Sequence, residues 1–426
     1  MNIFRYIREQ TFARNIAVLT IGAGLAQVIS FISIPLLSRM FTPEDYGLLA
    51  IYSAIVITCA TVFSLRYEYK ILSPKNDVEA QSLVFLVAFL AVLFGTVTTL
   101  ISSILPASIL YSTKLDLLGR WLTIGVVSGV ITAIAAGMTN WFNRCSQYKI
   151  ITGFRLTTAI CVAVAGLTFG FFEIKSGLLF AQLFGAVFGL IYLLYFGVPV
   201  IKNRPRLGDL KIIGLKYRNA PKYLLPTAVM NVVTMQLPFF LIAFLFSAQM
   251  TGHYRMAYQL LAVPGSLIGM AVSQVFFQRM SDIWPDAARA RTLLINSWIF
   301  LFLIGSVPLL IVLFFGPDLF ALVLGEEWRE AGIIATYIAP MVFFSFIHSP
   351  TSTSFIVMGE EKLYLLFGLA IIIYRPLALY IGYLLGSLYS ALLLFVCFEC
   401  LQIAIFQLLA IYRLNNKLLE KPGNYL

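Results

Sequence analysis

The stretch GLLFAQLFGAVFGLIYLLYFGVPVI, residues 177–201, runs without a single charge into KNRPRLGDLKIIGLKYRNAPK, residues 202–222, which holds seven bases and one acid. A helix rises 1.5 Å per residue, so about 20 apolar residues cross the roughly 30 Å hydrocarbon core of a bilayer. The first stretch is long enough to span, and the second is too basic to enter lipid. The same alternation extends in both directions. Apolar runs of spanning length occupy residues 15–38, 46–65, 83–110, 117–139, 151–172 and 177–201, then 223–246, 256–278, 292–315, 333–357, 363–385 and 388–412. With 60% hydrophobic and 12% charged residues, a soluble fold would have no polar surface to offer water. The sequence therefore predicts an all-α polytopic membrane protein of twelve transmembrane helices in two six-helix lobes. Residues 1–201 and 223–412 form the lobes, 202–222 a basic linker, and 413–426 a tail.

Charge orients the chain, because cytoplasmic loops keep Lys and Arg while translocated loops tolerate few. With a cytoplasmic N-terminus, 23 of the 30 basic residues fall on the inner side and 6 on the outer. The inner set includes Arg5, Arg8, Arg14, Arg144, Lys421 and the linker from Lys202 and Arg204 onward, and the outer set includes Lys114 and Arg120. The two faces then carry +13 and −2, and both termini are expected to be cytoplasmic. Anionic membrane lipids account for the basic balance, so no nucleic-acid partner is needed. The first apolar run is too long for a signal-peptide core and is expected to act as an anchor. Cys397 and Cys400 form a CxxC in letters only, and are expected to be small core residues.

Six spans per lobe start both lobes on the same side, so any internal repeat is parallel. Thr20, Gly24 and Gln27 fall within about 60° of one another on the first helix. Displaced by 207 positions, Thr227, Asn231 and Thr234 form the same stripe on the seventh. Gln27, Asn231 and Thr234 are accordingly expected to line a polar interior, although small polar residues also serve helix packing.

Catalytic signals are sparse. There is no Gly-Lys dipeptide and hence no Walker A loop, and only His253 and His348 are present, which leaves no HExxH zinc site. No cofactor and no metal are expected, and outer connections are short, the largest at 316–332. A transporter fits better than an enzyme. Ionisable groups within the hydrocarbon each cost roughly 2.5–3.5 kcal/mol at mid-span, so they should face water, a partner or a substrate. Arg375 and Glu399 lie at similar depth in spans 11 and 12, where an ion pair could couple transport or only pin two helices. His348 lies mid-span in helix 10 between Pro340 and Pro350, as a packing histidine or a proton carrier. Arg66 and Glu68 close helix 2, Arg155 opens helix 5 and Arg255 opens helix 8. If those helices line one interior, it is cationic and suits a phosphate or pyrophosphate.

The run Ile34-Pro35-Leu36-Leu37-Ser38-Arg39-Met40-Phe41-Thr42-Pro43-Glu44-Asp45-Tyr46-Gly47, with Leu65-Arg66-Tyr67-Glu68, resembles the opening of polysaccharide biosynthesis flippases. These are the Wzx-type O-antigen translocases of the multidrug, oligosaccharidyl-lipid and polysaccharide (MOP) exporter superfamily. Gly252-His253-Tyr254-Arg255-Met256-Ala257-Tyr258 with Pro264 is similar to the start of that family's eighth helix. The resemblance implies a MATE-like fold of two six-helix lobes around a central cavity that opens alternately to either side. It implies a bacterial inner-membrane location. The cargo would be an oligosaccharide repeat unit on undecaprenyl pyrophosphate, moved from the cytoplasmic to the outer leaflet, with a glycan polymerase and a chain-length regulator as possible partners. Arg66, Arg155, Arg255 and Arg375 would hold the pyrophosphate, and Glu68, Glu399 or His348 would couple transport to an ion gradient.

Rival readings have sequence discriminators. A multidrug exporter of the same superfamily usually shows acidic sites in its amino-terminal half, where mid-span acids are scarce here. A major-facilitator transporter would carry Gly-x-x-x-Asp-Arg after helix 2, which residues 66–79 lack. A peptidoglycan-precursor flippase usually has two further spans, and a glycan polymerase or ligase larger outer loops.

Overall fold

The computed structural model describes residues 3–104, 119–198 and 205–419, and within these the side chains of 3–17, 19, 119, 120, 207, 267, 270, 271, 350, 361, 364, 418 and 419 lie outside the description. Outside the described residues fall the expected span ends at 105–110, 117–118 and 199–201, the linker start with Lys202 and Arg204, Lys114, and the tail from residue 420 with Lys421. The side chains of Arg5, Arg8, Arg14 and Arg120 do so as well.

Local chemistry explains where helices begin. The Oγ1 of Thr42 accepts from the Asp45 N–H at 3.3 Å, and the Asp45 carboxylate accepts from the Thr42 N–H at 3.0 Å. This reciprocal cap, with Pro43 at the first helical position, starts the second helix. Ser247 and Asp286 cap two later helices one-sidedly, Ser247 accepting from the Met250 N–H and Asp286 from the N–H groups of Ala288 and Arg289. The resulting helices are α1 (Ile3–Leu37), α2 (Pro43–Phe63), α3 (Asp77–Ile104), α4 (Gly119–Arg144), α5 (Tyr148–Phe171), α6 (Gly177–Phe196) and α7 (Leu207–Lys216). There follow α8 (Leu225–Leu245), α9 (Ala248–Ile283), α10 (Ala287–Leu324), α11 (Arg329–Thr351), the single-turn α12 (Ser354–Val357), α13 (Glu361–Leu384) and α14 (Leu388–Leu419). Among the described residues there is no strand.

Among the described residues, eleven helices are long and apolar enough to cross a membrane. The expected eighth span, 256–278, lies inside the 36-residue α9, which is not among the eleven and whose side chains at 267, 270 and 271 are outside the description. The surface matches a lipid solvent: Phe171, Phe314 and Leu322 are each about three-quarters exposed. Prolines stand inside several of these helices, among them Pro238, Pro264, Pro308 and Pro376, a pattern tolerated where neighbouring helices re-satisfy the freed backbone.

The chain divides into two compact units, Met1–Gln236 and Leu237–Leu426. In the first, α1 packs along α5, α5 along α6, and both α2 and α3 against α4. One apolar cluster at the α7 end joins Tyr67, Leu83, Trp141, Phe142, Ile151, Leu193, Leu210 and Ile213. In the second unit α10 packs on α11, α9 on α11, and α13 on α14, around a cluster that includes Phe276, Leu294, Phe355 and Phe406. Because lipid tails are as apolar as Leu, close packing more than hydrophobic transfer holds such helices together. The α10–α11 crossing shows how close: a Cβ on Gly332 would lie 2.6 Å from the Gly316 carbonyl oxygen.

Two expectations need correction, and part of the expected linker is helical. The outer connection at 316–332 is not a loop, since α10 continues to Leu324 and α11 starts at Arg329, with only a 3-10 turn between them. Arg329 bridges Asp318 and Glu326 there, and the Gly316–Gly332 approach lets both helices extend. Residues 207–216 of the expected linker form α7, because Leu210 and Ile213 find apolar partners on the first unit. Cys397 is exposed rather than a core residue, and all five cysteines are free.

Candidate functional site

Arg66 and Glu68 lie just beyond α2 rather than within it. The helix ends at Phe63, and Leu65 and Arg66 then adopt left-handed conformations at φ 46° and 62°. Such backbone costs on the order of 1–3 kcal/mol per non-glycine residue and persists only where surroundings enforce it. Enforcement comes from Ser64, whose hydroxyl accepts from the Arg66 N–H at 3.3 Å, and from the Tyr67 hydroxyl, which donates to the Gly214 carbonyl at 2.9 Å. The turn aims Arg66 at Glu68, Nη1 to Oε1 at 3.2 Å, with the guanidinium also 4.7 Å from the Tyr69 ring centre. Glu68 is buried, and its Oε2 has no hydrogen-bond partner among the described residues. One carboxylate oxygen is thus held by a half-exposed cation, while the other can take a proton or a polar group.

Arg155 stands seven residues into α5, about 10 Å along its axis. It is exposed and has no ion-pair partner among the described residues. The neighbouring contacts place it. Thr152 donates its hydroxyl to the Val18 carbonyl of α1 at 3.2 Å, and Gly153 lies against Tyr192 of α6. At 100° per residue, the exposed apolar residues Ile160 and Val164 sit about 140° and 180° around the helix from Arg155. The guanidinium therefore does not share the exposed apolar face of α5. With α1 and α5 in register through Gly22–Thr152 and Leu37–Gly166, Arg155 is level with about Leu25, less than one turn from the half-buried Gln27. Residues beside both arginines share one apolar cluster: Leu65 and Tyr67 next to Arg66, and Ile151 and Phe154 next to Arg155.

On α8, Asn231 is exposed and Thr234 half-buried, its hydroxyl donating to the Met230 carbonyl at 2.6 Å. In the second unit, Arg375 of α13 is ion-paired with Glu399 of α14, and both are largely buried. Phe395 places its ring 5.8 Å from the same guanidinium. Tyr254 and Tyr258 of α9, stacked on each other at 6.2 Å, lie within electrostatic reach of the pair. Beside it the Tyr374 hydroxyl donates to Gln402 at 2.9 Å. Arg255 is half-buried, two turns into α9 rather than at its start. His348 stands edge-on to Phe406 at 4.6 Å, a ring that also packs against Phe355 and Phe367, and its Nδ1 has no hydrogen-bond partner among the described residues.

Sequence reasoning missed the tyrosines and Gln402 around the buried pair. The signal was present as spacing: Tyr254 and Tyr258 are four apart, and Glu399 and Gln402 three apart, so each couple shares a helix face. It also missed that Arg144 is tied down, to Asp77 at 3.0 Å and to the Pro74 carbonyl at 2.6 Å. Among the described residues no group of three or more His, Cys, Asp and Glu could hold a metal ion.

Comparison with known proteins adds the following. Residues 36–333 match the family described as polysaccharide biosynthesis protein. The lipid II flippase MurJ, in an inward closed conformation, is similar over 95% of this chain and 91% of its own, with a TM-score of 0.74 at 12% identity. An inward-facing multidrug resistance MATE family transporter of the MOP superfamily is similar over 93% and 96%, with a TM-score of 0.72 at 13% identity. A MOP superfamily transporter from Pyrococcus furiosus gives a TM-score of 0.51 at 14% identity over 95% and 96%. At such identities the likeness is one of fold. None of the curated proteins matches the chain in sequence.

Proposed function

The chain belongs to the polysaccharide biosynthesis protein family, and from that premise we propose that this multi-pass membrane protein flips a lipid-linked oligosaccharide. The cargo is an O-antigen or polysaccharide repeat unit on undecaprenyl pyrophosphate, carried from the cytoplasmic to the outer leaflet of the bacterial inner membrane. Both termini are cytoplasmic, and two lobes, 1–201 and 223–412, joined by the basic segment 202–222, open a hydrated cationic path alternately to each side. The polyprenyl tail stays in lipid while the headgroup crosses. Without such a path, the sugar hydroxyls and phosphate charges would have to shed their water at prohibitive cost.

The single observation that supports this most is Arg155: an exposed guanidinium within a spanning helix, without an ion-pair partner among the described residues and turned away from that helix's exposed apolar face. Arg binds a phosphate through two parallel hydrogen bonds, which makes it the first pyrophosphate contact, with Arg66 and Arg255 as further ones. Gln27, Asn231 and Thr234 offer amide and hydroxyl groups to sugar hydroxyls. Glu399 supplies the coupling. While ionised it holds Arg375, and a proton arriving on it frees that guanidinium for the pyrophosphate. Glu68, with one oxygen unsatisfied, can do the same for Arg66, and His348 is a second proton carrier. A multidrug-cation exporter fits less well, because the buried acid of the second unit is already neutralised by Arg375.

The test is translocation of lipid-linked repeat units in proteoliposomes, with protein level monitored. A charge-assisted bond is worth about 1.5–3 kcal/mol, so Arg155→Ala should slow translocation by about 10- to 100-fold, and Arg155→Lys should recover part of that. Normal rates in Arg155→Ala would remove the proposal.

A further inference from the structure

A cleft of about 1080 Å³ opens in the first unit between the α2–α3 connection and α7, lined among others by Lys75, Asn76, Val78, Arg206, Ile212 and Lys216. Its two acids, Glu79 and Asp209, are already engaged. Glu79 is ion-paired with Lys216 and accepts from the Tyr217 hydroxyl at 3.3 Å. Asp209 accepts the Arg206 N–H at 3.0 Å as a helix cap. Lys75 and Arg206 remain, both exposed and both without an ion-pair partner among the described residues. The cleft is therefore cationic in effect, although its residue types nearly balance.

The helix beside it has two unlike faces. Leu210 and Ile213 are buried in the apolar cluster of the first unit, while Ile212 and Leu215 are 67% and 60% exposed on the opposite face, flanked by Lys211 and Lys216. Val78, on the cleft wall, is 65% exposed as well. Aliphatic side chains set among lysines match the boundary between headgroups and acyl chains. The position agrees, because α7 ends at Lys216 and an apolar helix of spanning length begins at Ala220. We infer that this cleft is a binding site for the phosphate headgroup of an anionic phospholipid, with Lys75 and Arg206 on the phosphate and the exposed face of α7 seated among its acyl chains. Such a site goes beyond the saccharide-flipping activity and does not depend on it: it makes the position of α7 respond to the anionic lipid content of the surrounding leaflet.

Lipid bound to the purified full-length protein, counted by native mass spectrometry, tests the inference with three ligands: phosphatidylglycerol, phosphatidylcholine and inorganic phosphate. Each cation near a headgroup is worth about fivefold in affinity, so Lys75→Gln with Arg206→Gln should weaken phosphatidylglycerol binding by about 25-fold and leave phosphatidylcholine binding unchanged. The charge-keeping pair Lys75→Arg with Arg206→Lys should bind phosphatidylglycerol within about twofold of the parent, which separates loss of charge from loss of fold. Inorganic phosphate at millimolar concentration should displace no lipid. The inference is overturned if the Gln pair retains the parent affinity, if the charge-keeping pair loses it, or if phosphate competes. The readout involves no transport, so these results leave the saccharide proposal where it stands.

Discussion

Replacing Glu399 by Gln mimics its protonated form and tests whether the buried pair is a switch. The carboxylate and the Arg375 side chain are 5% and 17% exposed, so removing one charge leaves the other largely desolvated. Breaking a buried pair in this way costs about 3–5 kcal/mol. The Phe395 ring, 5.8 Å from the guanidinium, gives the released cation partial compensation, which favours the lower end of that range. In a unit of this size 1 kcal/mol shifts Tm by about 2–4 °C, so Glu399→Gln should lower Tm by roughly 10 °C. The double variant Arg375→Gln with Glu399→Gln removes both charges and should regain most of that stability. Transport separates switch from staple. In proteoliposomes, Glu399→Gln should bind lipid-linked substrate without the pH dependence of the parent, and the double variant, though stable, should translocate at least about tenfold more slowly. A stable double variant with normal translocation and a normal pH profile would refute the switch and leave a pair that only pins α13 to α14.

Further outcomes follow from packing and charge outside that pair. Gly332→Ala places a Cβ 2.5 Å from the Pro317 Cα, where backbone cannot yield as a side chain would, so overpacking of about 1–3 kcal/mol should appear as a lower Tm; an unchanged Tm would contradict the α10–α11 approach. Arg144→Ala should raise hydrogen exchange across residues 71–77 far more than Asp77→Ala does, because Asp77 is 72% exposed and its ion pair is worth under about 1 kcal/mol, whereas the bond to the buried Pro74 carbonyl is worth about 1.5–3. Equal effects of the two substitutions would count against that account. The Lys216 ammonium is held above its usual range by its hydrogen bond to Glu79. A raised cation stabilises the fold fully below its ordinary value, near about 10.4, and that contribution disappears as pH climbs through the folded value. Exchange in α7, corrected for intrinsic rate, should therefore be flat from neutral pH to about 9 and rise only in stronger alkali; loosening near pH 8 would show that another group controls it.

The helical architecture was legible because a bilayer imposes one constraint on every segment: enough apolar residues in a row to cover its thickness. Pro308, Pro317 and Pro376, which would argue against helix in a soluble protein, did not obscure it. Connections were read less well, and α7 shows why. Residues 207–216 read as solvated linker on charge, yet Leu210 and Ile213, three apart, needed only an apolar partner to become helix, and that partner is the cluster around Tyr67 and Leu83, more than a hundred residues upstream. The candidate site divides along the same line. Depth alone singled out Arg375 and Glu399, and two neighbouring helices joined by a short turn bring such groups together. Depth could not say which cations stay unpaired, because pairing depends on what other elements bring near. Arg144, at the end of α4, and Arg155, in α5, are only eleven residues apart, yet the fold brings Asp77 and the Pro74 carbonyl to the first and, among the described residues, no acid to the second. That asymmetry, and not the count of positive residues, is what makes Arg155 the stronger candidate for a phosphate and Arg144 a fastening of the fold.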